Sequence, residues 1–450
     1  MIFQKLWRPL FLILSWLAAV YLLGVPLLRP RAEYGWGHYR LIDIYFGVPL
    51  WLLAVCLTIT LFSPARKRRQ LTIKLVALLA SVLITVTVLD LGYTFIVEGA
   101  WKPSHTDVWF DAIAITKKDN LTDEELGFAR KPRLEWEGRL SPQSQSRYLT
   151  YRTDENGFRN PLGITRADVT FIGDSFTEAG NVPEEETFAQ QIQSRTQLNV
   201  VNLGRGYYGP QQELIVLKRY AFKYNPKLVI WQIFEGNDLS DARRFGTWKA
   251  NPNMHDSMLL RYTKNSPIAG LLARTMPNAF GSPRMFEDRS GQPGRLFVDY
   301  SYIPDEPARE PLGMAETRKA IDEGYKLCQA QGVKLLVIFI PIKVRVLGPY
   351  VRFNDANDRN YYLPGGKLDS DTDFGSAVAK LCADLGCPFI DMTGALRQRA
   401  AEDNRTVYST AQDSHLDTDG HAVVAQKLAD WMSTNLSQTA GPSAASMQQR

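Results

Sequence analysis

Three long apolar segments open the chain, and an alternation of short apolar runs with amphipathic stretches fills most of the rest. Pro9 to Leu28 and Phe46 to Phe62 carry no charged residue, and Leu75 to Val97 carries one, Asp90. About 20 apolar residues cross a bilayer core as a helix, so the pattern predicts three N-terminal transmembrane helices within residues 1–97. Residues 98–165 are polar and irregular and read as an extracytoplasmic leading segment. A β–α alternation then begins. Strands are expected at Val169–Ile172, Asn199–Asn202, Leu228–Phe234, Lys334–Ile340 and Pro388–Asp391. Helices are expected at Glu184–Arg195, Gln211–Tyr224, Glu316–Gln331, Phe374–Leu385 and Thr418–Met432. Continuous apolar strands between amphipathic helices belong to a parallel sheet covered on both faces. The fold class is therefore α/β, doubly wound, over residues 166–436. Residues 437–450, rich in Ser, Ala and Gln, read as a disordered tail.

Residues 241–311 interrupt the alternation and are too long for an ordinary loop. This insertion reads as a lid or substrate-binding segment. It holds Trp248, Tyr262, Phe286, Tyr300 and Tyr302 among several arginines. Such a set suits a sugar or an anionic head group, or else ordinary packing with solvated charge.

Charge orients the membrane region. Arg66, Lys67, Arg68, Arg69 and Lys74 crowd the loop between the second and third apolar segments, and basic loops stay cytoplasmic. Lys5 and Arg8 place the N-terminus on that side, and three spans place the remainder outside the cytoplasm. The expected location is the cytoplasmic (inner) membrane, multi-pass, with the C-terminal domain extracytoplasmic (periplasmic). A cleaved signal peptide over residues 1–28 is the rival reading; no small-residue cleavage site follows its apolar core. Asp90 is either a functional intramembrane acid or an acid reaching the interface. The net charge of +5 is dispersed and gives no reason to expect nucleic acid. Of four cysteines, Cys56 reads as a small hydrophobe, and Cys382 with Cys387 is the simplest disulfide. The cysteine spacing suits no structural zinc site, and no cofactor is expected.

Chemistry-bearing residues follow the apolar runs. Gly173-Asp174-Ser175 ends the first run, Asn202-Leu203-Gly204 the second, and Gly236-Asn237-Asp238 the third; Asp413-Ser414-His415-Leu416 precedes the last helix. Taken singly, Ser175 is a helix cap, and Gly204 and Asn237 are turn residues. Together they supply what acyl transfer requires: an oxygen nucleophile, a base, an orienter for the base and donors for an oxyanion. His421 competes with His415 for the role of base but enters the last helix, where packing or capping is expected. His415, Asp417, Asp419 and His421 as metal ligands would need an extended segment where a helix begins.

In order and placement these blocks resemble the SGNH (GDSL-type) serine hydrolases over about residues 150–435, less the insertion. The resemblance implies a three-layer α/β/α domain with a five-stranded parallel sheet and metal-free esterase, lipase or acyltransferase activity. It implies Ser175 as nucleophile and His415 as general base, with an oxyanion hole from the Ser175 N–H, the Gly204 N–H and the Asn237 amide. The family's acid lies three residues before the histidine, where this chain has Gln412; Asp413, two before, is the nearest carboxylate and the expected orienter. The expected function is that of a membrane-anchored extracytoplasmic serine esterase or O-acyltransferase. It would act on acyl esters of cell-envelope glycans or lipids through an acyl-serine. Expected partners are the lipid bilayer, the acylated glycan or lipid substrate and, for a transferase, a membrane acyl-donor protein. The alternative is a catalytically silent glycan-binding or scaffold protein on the same fold.

Overall fold

A computed structural model describes residues 12–28, 41–62, 66–110, 115, 118–138, 149–275, 283–287, 293–353, 356–403, 406–409 and 413–436. The expected tail, 437–450, lies outside them, as does Gln412. The chain divides into two compact units. One comprises Met1–Phe128 with Asn253–Ser282, and the other Ala129–Pro252 with Pro283–Arg450.

In the first unit the apolar segments are helical. Helices run over Leu41–Phe62 and Arg66–Gly92, the latter continued by a wider turn over Tyr93–Val97. Among the described residues, one stretch, Ala80–Val97, is long and apolar enough to cross a membrane; Leu12–Gly24 and Phe46–Cys56 are shorter apolar helices. The count of three spans expected from sequence is thus not carried by helix length and composition alone.

In the second unit the expected alternation is present. Five strands, β1 (Val169–Gly173), β2 (Val200–Gly204), β3 (Leu228–Phe234), β4 (Lys334–Ile340) and β5 (Phe389–Asp391), form one parallel sheet ordered β5-β4-β3-β1-β2. Their side chains alternate between two packed faces. Val169, Phe171, Ile230, Leu336 and Ile338 join a core with Phe188 and Ile192 of helix Phe188–Thr196 and with Val424 and Leu428 of helix Thr418–Asn435. Trp231 points to the opposite face, where its indole donates to Glu213 of helix Pro210–Arg219 at 2.7 Å. Helix Pro311–Ala330 closes on the same ring: a Cβ at Gly324 would stand 2.4 Å from it. Helices thus cover both faces, as the three-layer expectation requires.

The chain lays β2 on one side of β1 and then crosses to lay β3 on the other. The C-terminal ends of β1 and β3 therefore flank a reversal of strand order, the place where open α/β sheets form their clefts. Gly173 ends level with Gly204, and Phe234 with Ile340, while β3 runs two residues past β1, since Ile172 is opposite Trp231.

Two expectations change here. Cys382 and Cys387 are both free thiols. Cys382 hydrogen-bonds to the Cys387 thiol, which together with burial pushes its pKa up, and Cys387 Sγ approaches the Leu335 carbonyl at 3.8 Å. The stretch 241–311 is also not one segment. Its first residues continue helix Asp238–Ala250, residues 253–282 fold with the first unit, and the rest returns to the second. Trp248, Tyr262 and Tyr302 are buried, so these three aromatics serve packing.

Candidate active site

Ser175 opens a one-turn helix, Ser175–Glu178, directly after β1. Asp174 caps it, Oδ1 accepting the Phe176 N–H at 2.9 Å. The Ser175 N–H, at the first helical position, has no intrahelical acceptor. Gly173 is required by close approach, because a Cβ there would stand 2.4 Å from Thr177 Oγ1 and 2.6 Å from Gln232 Oε1.

His415 reaches the serine from the far end of the sequence. Its loop is fixed by a bridge from Tyr408 to Leu416 and by Asp417, which caps the last helix through the Gly420 N–H at 2.9 Å. His415 Nε2 lies 2.8 Å from Ser175 Oγ. His415 Nδ1 lies 2.5 Å from Asp413 Oδ1, and the same oxygen accepts the His415 backbone N–H at 3.0 Å. This double acceptance shows why a carboxylate two residues upstream suffices: it closes an Asx-type turn that sets backbone and ring together. Lys343 Nζ donates to the Asp413 carbonyl at 2.5 Å and pairs with Asp299 at 3.5 Å. Phe176 packs against the imidazole with ring centroids 4.9 Å apart.

These contacts set the charges. Burial acts to lower the His415 pKa, but the charge and hydrogen bond of Asp413, aided by Asp174 and Asp299, outweigh it and raise the pKa. Burial acts to raise Asp413, yet His415 and Lys343 hold its carboxyl below the usual range. The pair therefore favours a carboxylate that accepts Nδ1–H and leaves Nε2 facing the serine.

Of the three expected oxyanion donors, the Ser175 N–H has no acceptor within its own helical turn. Asn237 precedes helix Asp238–Ala250, and its amide donates to Asp241 Oδ2 at 2.7 Å and also hydrogen-bonds to the Asp174 carboxylate. Gly204 departs from the expectation. Its N–H donates to Asn202 Oδ1 at 2.9 Å, and a Cβ there would come within 2.4 Å of the Glu178 N. Gly204 lets β2 pack against the serine's helical turn, and its donor is already engaged. Gly206 stands nearer the nucleophile, since a Cβ there would lie 3.4 Å from Ser175 Cβ.

His421 is not at the site. It is buried, accepts the Phe188 N–H through Nδ1 at 3.2 Å and stacks on the Phe188 ring. Burial, with the charges of Arg159 and His415, pushes its pKa down to about 3. With Asp417 engaged as a cap, the four-residue metal reading has no common centre.

Sequence reasoning missed three supports. Glu178 accepts from Tyr151 Oη, from Arg130 at 2.5 Å, from the Gly206 N–H at 2.6 Å and from Arg205 at 3.2 Å. Burial opposes its ionisation, but the two guanidiniums and these bonds hold its pKa far below the usual range. It thereby ties the serine's helical turn to the loop after β2. The signal was its place three residues after Ser175. The second support is Lys343 with Asp299, legible only as a lysine just past the C-terminal end of β4. The third is a set of buried acids behind the site: Asp174, Glu213, Asp238 and Asp241. Burial raises all four pKa values, and repulsion from neighbouring acids adds to it at Glu213, Asp238 and Asp241, the last reaching about 6.

No family model and no curated protein matches the chain. Solved structures do. The acetyl xylan esterase AlAXEase matches at 15% identity over 59% of this chain and 98% of its own, with a TM-score of 0.33. Axe2, an acetylxylan esterase from Geobacillus stearothermophilus, matches at 12% identity over 58% of this chain and 91% of its own, with a TM-score of 0.31. A GDSL-like lipase from Bacteroides thetaiotaomicron matches at 11% identity over 59% and 87%, with a TM-score of 0.30. At such scores the likeness carries no functional argument, and the reading of function rests on the side chains.

Proposed function

We propose that this chain is a serine esterase or O-acyltransferase attached to a membrane, with its acyl-transfer domain on the extracytoplasmic side. The observation that carries the chemistry is the unbroken relay from Asp413 Oδ1 to His415 Nδ1 at 2.5 Å and from His415 Nε2 to Ser175 Oγ at 2.8 Å. In this reading Ser175 Oγ attacks an ester carbonyl while His415 Nε2 takes its proton. Asp413 holds Nδ1–H and stabilises the imidazolium that forms. The oxyanion is received by the Ser175 N–H and by the Asn237 amide, which turns to it from the Asp174 carboxylate, each such donor being worth about 10²–10³ in rate. Collapse expels the alcohol, which takes the proton back from His415, and leaves an acyl-serine. Water or an acceptor hydroxyl then enters by the same base catalysis. Both outcomes use the same residues.

Three spans, with the basic loop around Arg66–Arg69 in the cytoplasm, remain our proposal for the membrane region. It rests on the uncharged segments and on the side marked by the basic residues. An anchored enzyme on that side meets acyl esters of envelope glycans or lipids, which we take as the substrate class. A transferase would draw its acyl group from a separate membrane donor protein.

The test is turnover of p-nitrophenyl acetate by the full chain in detergent or nanodiscs, beside Ser175→Ala. Serine-dependent release, with a covalent acetyl on Ser175 seen by mass spectrometry, is the expected result. Equal release by both proteins would remove the assignment.

A further inference from the structure

Residues 253–282 belong by sequence to the acyl-transfer domain and by packing to the apolar N-terminal unit. Two short helices, Met258–Asn265 and Pro267–Thr275, make up their described core. The second packs against helix Leu41–Phe62, and the first against the turn Tyr93–Val97. Polar contacts fasten them. Asp90, the single acid in the apolar stretch Ala80–Val97, is buried. Its carboxylate accepts from Tyr262 Oη at 2.5 Å, from Ser266 Oγ at 2.8 Å and from the Ile268 N–H at 3.1 Å. Tyr262 also stacks on Phe95 with ring centroids 5.9 Å apart. Arg261 Nε donates to the Ala100 carbonyl at 2.8 Å, and Lys264 pairs with Asp256 at 2.7 Å. Asp90 is thus neither a solvated acid nor an unpartnered one: it is the anchor point for these helices.

The outer side of the pair is apolar. Met258 and Leu271 are each 62% exposed, and Leu259 and Leu260 are 49% and 45% exposed. The segment Ala80–Val97 is likewise bare and apolar, with Leu89 67% and Ile96 81% exposed. Just beyond that segment stands exposed Trp101, with Lys102 Nζ 4.8 Å from its ring. An aromatic with a cation at the end of an apolar helix is the usual mark of a bilayer interface. Short helices with charged groups fastened on one side and bare Met and Leu on the other match the chemistry of interfacial helices.

We infer that helices Met258–Asn265 and Pro267–Thr275 form an interfacial pair that lies in the bilayer and is locked by Asp90 to the C-terminal half of the segment Ala80–Val97. The inference rests on that segment crossing the membrane. The occupant of the apolar face is phospholipid. The acyl-transfer domain is then joined to the membrane-bound unit by three chain crossings, near residues 128, 252 and 282, instead of one. Two of these crossings flank the pair.

The test adds one cysteine at a time to the full chain carrying Cys56→Ser, whose remaining Cys328, Cys382 and Cys387 are buried, and labels it with an environment-sensitive dye in phosphatidylcholine–phosphatidylglycerol nanodiscs. Leu89→Cys reports on the span, Leu259→Cys and Leu271→Cys on the pair, and Lys380→Cys on the exposed surface of the acyl-transfer domain. Quenching by iodide is compared with quenching by lipids carrying a nitroxide at shallow or deep positions. We expect deep-nitroxide quenching at 89, shallow-nitroxide quenching with at least a fivefold loss of iodide quenching at 259 and 271, and iodide quenching alone at 380. Lipid quenching at 89 with iodide quenching at 259 and 271 would overturn the inference and leave the span standing. Shielding of 259 and 271 from both quenchers would overturn it in favour of a covering protein. Iodide quenching at 89 would overturn the span and the pair together.

Discussion

Asp413→Asn isolates the most distinctive feature of the site, a carboxylate two residues before its histidine. In the native geometry Asp413 Oδ1 accepts both the His415 N–H and Nδ1–H. An asparagine can keep its oxygen on the backbone N–H, but its amide nitrogen can instead face Nδ1. That arrangement turns Nδ1 into an acceptor and moves the ring proton to Nε2, 2.8 Å from Ser175 Oγ, where the ring can no longer take the serine's proton. The tautomer error in this kind of relay is worth about 10⁴ in kcat, or roughly 5 kcal/mol at about 1.4 kcal/mol per tenfold. The pH profile supplies a second, independent reading. The His415 pKa is raised above its ordinary value, with Asp413 the leading cause of the rise. The imidazole is a base only above that pKa, so kcat/KM of the native chain climbs with pH through it. Asp413→Asn removes the rise, and its acidic limb moves to lower pH while the plateau drops. The assay is kcat/KM for p-nitrophenyl acetate from about pH 5 to pH 9, with Gln412→Ala run in parallel and expected to stay within about threefold of native. An Asp413→Asn plateau within tenfold of native, or a greater loss in Gln412→Ala, would refute the orienter assignment.

Asn237→Asp replaces an oxyanion donor by an acceptor and sets a second carboxylate against Asp241, 2.7 Å from the present amide nitrogen; kcat should fall about 10²–10³-fold with little change in KM, as steady-state kinetics will show. Glu178→Gln removes the counter-charge of buried Arg205 and half-buried Arg130. Breaking such a group on one side costs about 3–5 kcal/mol, to be read as a lower midpoint in denaturant. Asp238→Asn should raise Tm more at pH 8 than at pH 5. The folded pKa of Asp238 is raised by burial and by Glu213 and Asp174, so its favourable contribution is present at low pH and is lost as pH rises through that value; the neutral amide escapes this loss. An equal Tm gain at both pH values would contradict the sign.

What sequence made legible follows from the kind of signal each residue carries. The strands Leu228–Phe234 and Lys334–Ile340 were readable to the residue because both are apolar along their length and end at charged or turn-forming positions. The helix expected from Glu184 instead starts at Phe188, after a 3-10 turn over Glu184–Glu186. Thr187 is the effective cap there, its Oγ1 accepting the Gln190 N–H at 3.3 Å, and three glutamates in a row hide that stop. Ser175, Asn237, Asp413 and His415 were readable because each sits at the end of a patterned element. Gly204 was misread because a one-letter motif cannot say where an N–H points, and the asparagine two residues earlier had already claimed it. Glu178 and Lys343 left only a positional trace, and Asp299 none, for a related reason: their roles depend on partners 27 to 70 residues away, and no local pattern encodes a pairing at that distance. The same holds for the stretch 253–282. The length of the insertion suggested a lid, yet a single buried acid 172 residues before Tyr262 assigns this part to the other unit. In this chain periodicity located the scaffold and singled out the side chains of the Asp413–His415–Ser175 relay, while buried charge located the parts that hold them in place. A charge buried among apolar residues needs a partner at a defined distance, so each such acid predicts a contact whose other half sequence leaves unnamed.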